Sequence, residues 1–179
     1  MEEPGPSNVV SSRTDESIEA IRDQMLRLLP RLRRFCIALT GSAADGDDLV
    51  QDTVERALKN LHSWEPGSRL DNWMFRIAKN RFVDGRRAAR RQGVVTVEAA
   101  EEAARVFTDG ERVAESRLAL KAVNAALQDL PHEQREAVIL VLIEGVSYRE
   151  AADLLNIPIG TLTSRISRAR AALATAIGS

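Results

Sequence analysis

From Ile18 onward, apolar residues return every three or four positions in long stretches broken by Pro, Gly and small polar residues. That spacing is one face of an α-helix. Ile18, Met25, Leu28, Leu29, Leu32, Phe35, Cys36 and Leu39 form the first stripe. Pro30 interrupts it and predicts a kink or a split with Leu29 at the boundary. Thr40-Gly41-Ser42 ends the element. Leu49, Val50, Val54, Ala57, Leu58 and Leu61 mark a second helix, over about 45–61. Asp47 and Asp48 suit its positive N-terminus, and Asp48, Gln51, Asp52, Glu55, Arg56 and Lys59 are left outside. A loop over 62–69 carries a Pro-Gly pair. Beyond it, Leu70, Trp73, Met74 and Ile77 give the core side of a helix to about Arg91. After a break, Leu118, Val123, Ala126, Leu127 and Leu130 resume the pattern up to Pro131, and the apolar run 138–143 reads as a buried helix.

The last third is the most informative stretch. Ser147 accepting from the Glu150 amide, with Glu150 reaching back, makes a capping box that opens a short helix. Asn156 stops that helix, and Pro158 suits the first turn of the next. Ile159, Leu162, Ile166, Ala169 and Leu173 are its buried stripe. Ser164, Ser167 and Arg168 then face outward, flanked by Thr161, Thr163, Arg165 and Arg170. Two short helices with a tight turn and a small-polar, basic outer face fit helix-turn-helix DNA recognition. A plain helical hairpin is the alternative. The lack of any acid from Ile157 to Ser179 weighs against it, since solvated faces mix signs.

Charge sharpens this picture only through its distribution. The totals, 25 basic and 26 acidic residues, nearly cancel. Yet 76–91 carries seven bases and one acid, whereas 92–115 carries six acids and two bases. Arg76, Lys79, Arg86, Arg87 and Arg90 share one side of their helix and repel each other unless an anion, such as a phosphate backbone, lies against them. Trp64, in the preceding loop, either stacks on an unpaired base or plugs the bundle. Residues 1–17 read as a mobile tail, and 93–115 as an acidic linker between helical units at 18–92 and 116–179. The lone Cys36 excludes an internal disulfide, fits a reducing compartment and sits in an apolar run as a packed thiol. No signal peptide or membrane-spanning run is evident, so a cytoplasmic protein without membrane insertion is expected. His62 and His132 stand apart with no second cysteine, so no metal site is expected. Nothing resembles a phosphate loop or nucleophile elbow, and catalytic residues and cofactors are expected to be absent.

Asp47-Asp48-Leu49-Val50-Gln51-Asp52-Thr53, with Leu70-Asp71-Asn72-Trp73-Met74-Phe75-Arg76-Ile77-Ala78-Lys79-Asn80, resembles the second conserved region of extracytoplasmic-function (ECF) sigma factors. Val146 to Ala152 and Ile157 to Arg170 resemble their fourth region. The resemblance implies an all-α fold of two small helical bundles joined by a linker, the C-terminal one containing a helix-turn-helix. It implies a non-enzymatic promoter-specificity subunit of bacterial RNA polymerase, serving a stress or signal regulon and held inactive by an anti-sigma factor. Asp48, Gln51, Asp52 and Glu55 would bind core polymerase, where the residues alone suggest only a solvated face. The loop 62–69 would capture a flipped base, so that Trp64, Arg69, Arg76, Lys79, Asn80, Arg86, Arg87 and Arg90 meet single-stranded −10 DNA and the adjoining duplex. Arg149, Thr161, Thr163, Ser164, Arg165, Ser167, Arg168 and Arg170 would meet the −35 duplex. Thr163 stands where the family often has Lys or Arg, and Ser167 where an aromatic or His is common, so the −35 sequence does not carry over. With the end at Ser179, no further C-terminal module or receiver domain is expected, and the free protein is expected to be a monomer. A stand-alone helix-turn-helix regulator would leave the α-helical acids without a role. A decoy that only sequesters an anti-sigma factor would not need the bases of 76–91.

Overall fold

The computed structural model describes residues 7–91 and 113–177, with side chains from residue 18 and, after the break, from residue 121; the Arg90 side chain is not among them. Every regular element described is helical: α1 (Ser7–Thr40), α2 (Ala43–Lys59), α3 (Leu70–Arg91), α4 (Val113–Gln128), α5 (His132–Val138), α6 (Tyr148–Leu155) and α7 (Ile159–Ile177). The expected all-α architecture is therefore present. The linker 93–115 falls almost wholly outside the described residues.

Helix α1 differs from expectation at both questioned points. It starts at Ser7, not near Ile18, and runs unbroken through Pro30. The proline lies on the exposed side. Met25 and Leu32, before and after it, are both buried, so packing holds the helix together across the missing N–H. The helix ends as anticipated, with Gly41 at φ +82. A side chain there would also meet Gln128, whose Cδ lies 2.6 Å from the position of a Cβ. Ser42 then caps α2 by accepting from the Asp45 amide. Gly46 lets α2 approach α1, since a Cβ would stand 2.5 Å from Ile37 Cγ1.

The apolar run 138–143 is not one buried helix. Helix α5 stops at Val138, and Ile139–Ile143 form a π-helical turn. Val138, Ile139 and Leu140 are buried, whereas Leu142 and Ile143 are 43% and 42% exposed. The wider turn rotates those two side chains outward and brings Glu144 inward. Leu58 and Ile159, expected in buried stripes, are also exposed, at 45% and 54%. Both lie at the margin of their stripe, where a neighbouring helix must be present to cover them.

The two bundles share one core. Phe35, Phe75, Leu39 and Met74 from the N-terminal helices belong to the same buried cluster as Ile139, Leu140, Val146, Leu162 and Ile166 from the C-terminal ones. Phe35 and Phe75 stack at 4.7 Å between ring centroids.

Arg135 fastens this junction. Its side chain is buried and donates to the Leu127 carbonyl at 2.9 Å and the Leu39 carbonyl at 3.3 Å, and also to those of Gln128 and Leu130. One guanidinium thus serves the negative C-terminal ends of α1 and α4 together. Arg135→Met would strand several buried carbonyls and is expected to cost about 3–5 kcal/mol. Urea unfolding followed by circular dichroism measures it; a loss under about 1 kcal/mol would show that water replaces the guanidinium.

Candidate core-polymerase and promoter-DNA surfaces

The capping box that opens α6 forms as read from the sequence. Ser147 Oγ accepts from the Glu150 amide at 3.3 Å, and Glu150 Oε2 accepts from the Ser147 amide at 3.1 Å. The Ser147 hydroxyl, which donates to Glu150 Oε2 at 2.5 Å, and then the Ser147 amide and Arg69 hold the Glu150 carboxyl below its usual range. Asn156 ends α6 in the left-handed conformation, φ 55, which Asn tolerates better than most residues. Helix α7 follows, with Leu162, Ile166 and Ala169 fully inside and Leu173 partly covered. Thr161, Thr163, Ser164, Ser167, Arg168 and Arg170 are all exposed, as is Arg149 on α6; Arg165 is half-buried. The Thr163 and Ser164 hydroxyls donate back to the Ile159 and Gly160 carbonyls, each at 2.9 Å. Their oxygens remain able to accept from a base edge or a water.

On α2, Asp48, Gln51, Asp52 and Glu55 form one exposed strip. It is not free of internal partners: Asp52 pairs with Arg81 of α3, Gln51 donates to Glu55 at 3.3 Å, and Lys59 lies 3.6 Å from Glu55. Asp47, beside the strip, takes both arms of Arg33 and is held below the usual carboxylate range by them. Arg81 and Arg33 carried no signal in the sequence, because both pairs cross between helices.

The basic face of α3 is less uniform than its spacing implies. Arg76, Asn80, Arg86 and Arg87 are exposed, while Lys79 is half-buried. Arg86 lies over the Phe82 ring, 5.7 Å from its centroid. Trp64 follows a 3₁₀ turn (Leu61–Ser63) and packs partly buried against the main core. Arg69 closes the loop but does not point freely to solvent: it grips Asp71 with Nε at 3.1 Å and Nη2 at 2.7 Å, and Glu150 with Nη1 at 3.0 Å. Asn72 Nδ2 adds a bond to Glu150 at 3.2 Å. Asp71, Asn72 and Glu150 belong to the motifs seen in the sequence, but their meeting across the two bundles was invisible there.

Behind this contact, Arg31 bridges Asp71 and Glu144, donating to Glu144 Oε2 at 2.8 Å. Burial pushes Asp71 up, but Arg69, the Asn72 amide and Arg31 together hold it below its usual range. Glu144 is raised, because burial outweighs the bond from Arg31.

A family model described as the sigma2 domain of PhyR matches residues 25–79, and one for region 4 of sigma-70 matches residues 120–173. The ECF RNA polymerase sigma factor EcfG of Rhodopseudomonas palustris (strain TIE-1) is 41% identical over 155 residues, covering 87% of this chain and 83% of the relative. The chain belongs to the ECF RNA polymerase sigma factors. Among solved structures, the sigma factor RpoE from Bartonella quintana, in complex with the anti-sigma factor NepR, superposes with a TM-score of 0.79 at 34% identity. That match covers 89% of this chain and 98% of the other. CnrH, in complex with the cytosolic domain of CnrY, superposes with a TM-score of 0.62 at 29% identity, over 88% and 86% of the two chains. As members of this family, sigma factors are specificity subunits and not catalysts in their own right. No described helix of this ECF sigma factor is long and apolar enough to cross a membrane.

Proposed function

We propose that this ECF sigma factor docks on core RNA polymerase through Asp48, Gln51, Asp52 and Glu55, and opens promoters by dividing two DNA contacts between its bundles. The loop 62–69 and α3, with Trp64, Arg69, Arg76, Lys79, Asn80, Arg86, Arg87 and Arg90, take the −10 element as single strand and its flanking duplex. The α6–α7 unit, with Arg149, Thr161, Thr163, Ser164, Arg165, Ser167, Arg168 and Arg170, takes the −35 duplex in the major groove. The observation that carries this reading is the outer row of α7: exposed hydroxyls and arginines with no acid among them, on the side away from buried Leu162, Ile166 and Ala169. Phosphate contacts from such a row set register, and the central side chains read base edges. Work in the cytoplasm follows from binding polymerase and DNA. An anti-sigma factor is the proposed regulator, by likeness to the RpoE–NepR complex.

The test is transcription from a random library of −35 and −10 sequences by core polymerase with and without the protein. Enrichment of one bipartite class only when the protein is present supports the reading, and an unselected library defeats it. A second expected result concerns the −10 contact alone. Replacing 62–69 with the loop of another ECF sigma factor should change the enriched −10 class and leave the −35 class as it was. If the −10 class does not move, Trp64 and its neighbours serve the bundle and not the base.

A further inference from the structure

The two serines on the outer face of α7 are not chemically alike. At about 100° per residue, Ser164 stands opposite the middle of the Leu162/Ile166/Ala169 stripe, with Ser167 and Arg168 to either side of it. The Ser164 hydroxyl donates to the Gly160 carbonyl at 2.9 Å. Its one hydrogen is committed there, and what it turns outward is lone pairs. Among the described residues the Ser167 hydroxyl has no partner, so it remains donor and acceptor alike. The approach to Ser164 is also open. Gly160, one turn earlier on the same side, is exposed and has nothing within 4 Å of the place a Cβ would take. A base edge reaches the Ser164 oxygen with no side chain of that turn in between.

What a base gains from each hydroxyl follows from counting bonds. A base that presents an amino group adds a hydrogen bond to the Ser164 oxygen and leaves the bond to Gly160 in place. Because the hydroxyl is already donating, it is the better acceptor. A base that presents a carbonyl oxygen meets lone pair with lone pair, and a bond forms only if Ser164 lets go of Gly160. That trades one bond for another and gains nothing. In the major groove the amino groups are adenine N6 and cytosine N4, and the carbonyls are guanine O6 and thymine O4. Every base pair carries one of each, so the choice Ser164 makes is between strands. One added bond between neutral groups amounts to about two- to tenfold. Ser167 meets either kind of base by rotating its hydroxyl, and so discriminates between neither.

Resting on the proposed placement of α7 in the −35 major groove, we infer that Ser164 is a strand-selective reader of amino-bearing bases. It accepts adenine or cytosine on the strand beneath it and turns away guanine and thymine. Ser164 and Arg168 are one turn apart, about 6 Å along the helix, which is about two base steps. The −35 class is therefore expected to hold an adenine-or-cytosine position within about two pairs of the guanine read by Arg168.

The experiment profiles wild-type, Ser164→Ala and Ser167→Ala holoenzymes on the random −35 library. Ser164 is exposed, and its truncation leaves the buried stripe whole. The position whose preference changes in Ser164→Ala but not in Ser167→Ala is the one Ser164 reads. There wild type is expected to favour adenine and cytosine over guanine and thymine on one strand by about two- to tenfold, and Ser164→Ala to favour neither pair. Promoters with unsubstituted purine in place of adenine, or 2-pyrimidinone in place of cytosine, test the amino group itself. Its removal should cost wild type about two- to tenfold more than it costs Ser164→Ala, which feels only the weakened base pair. Selection of guanine or thymine at that position overturns the inference, as does an equal response of the two proteins to amino-group removal. If Arg168→Ala alters a −35 position and Ser164→Ala alters none, Ser164 is not at the bases and the inference falls while the proposed division of the promoter stands. If wild type selects no −35 class, the division itself fails, and the inference with it.

Discussion

Reversal of Asp48 and Asp52 to lysine is expected to abolish co-purification with core RNA polymerase while the helical circular-dichroism signal stays at the wild-type level. Both side chains stand on the solvent side of α2, opposite Leu49, Thr53 and Ala57, which are buried. The core is therefore untouched by the change. Folding loses only the Asp52–Arg81 pair, and an exposed pair contributes about 0–1 kcal/mol. Binding loses far more. Each reversal removes one attraction and adds one repulsion at a surface desolvated on docking, where a mispaired charge costs several kcal/mol. Two such changes amount to well over a hundredfold in affinity. Arg81→Ala provides the sign control. It frees Asp52 from its internal partner, so core binding should be maintained or strengthened. Unchanged core binding by the double reversal would return the strip to an ordinary solvated face.

The sequence made visible what is local or periodic. The Ser147–Glu150 box spans three residues and follows from rules for helix ends. The Leu162, Ile166 and Ala169 stripe follows from helical repeat alone. What failed to show was decided between elements. Pro30 reads as a break because its missing N–H is a local cost, yet Met25 and Leu32 pack on either side and keep α1 whole. Leu58 and Ile159 read as buried because their spacing is right, but none of the described helices covers them. The π-helical turn at Ile139–Ile143 leaves an apolar run unchanged in composition while turning two of its residues outward. The junction of the bundles was least legible. Arg31 and Glu144 are 113 positions apart, and nothing in either segment singles out the other. The resemblance puts Arg69 on DNA, and its bond to Glu150 gives the same side chain a partner that the sequence does not show.

Arg168→Ala and Arg170→Ala are expected to fail in different ways. Both arginines are exposed on α7. Arg168 stands opposite the Leu162/Ile166 stripe, whereas Arg170 adjoins buried Ala169 and lies toward the stripe's edge. A central arginine can meet guanine O6 and N7 with both arms, and such a pair discriminates against wrong bases by about 1–3 kcal/mol. An edge arginine meets a phosphate, which adds affinity without reading sequence. Arg168→Ala should therefore relax preference at one −35 position by about five- to a hundredfold. Arg170→Ala should weaken all promoters alike and lower the slope of log affinity against log salt by about one phosphate's worth. A panel of −35 point-mutant promoters, transcribed by each variant holoenzyme at two salt concentrations, separates the two. Equal, sequence-blind losses from both substitutions would mean that α7 enters the groove rotated, with the hydroxyls of Thr163 and Ser164 nearer the bases than Arg168.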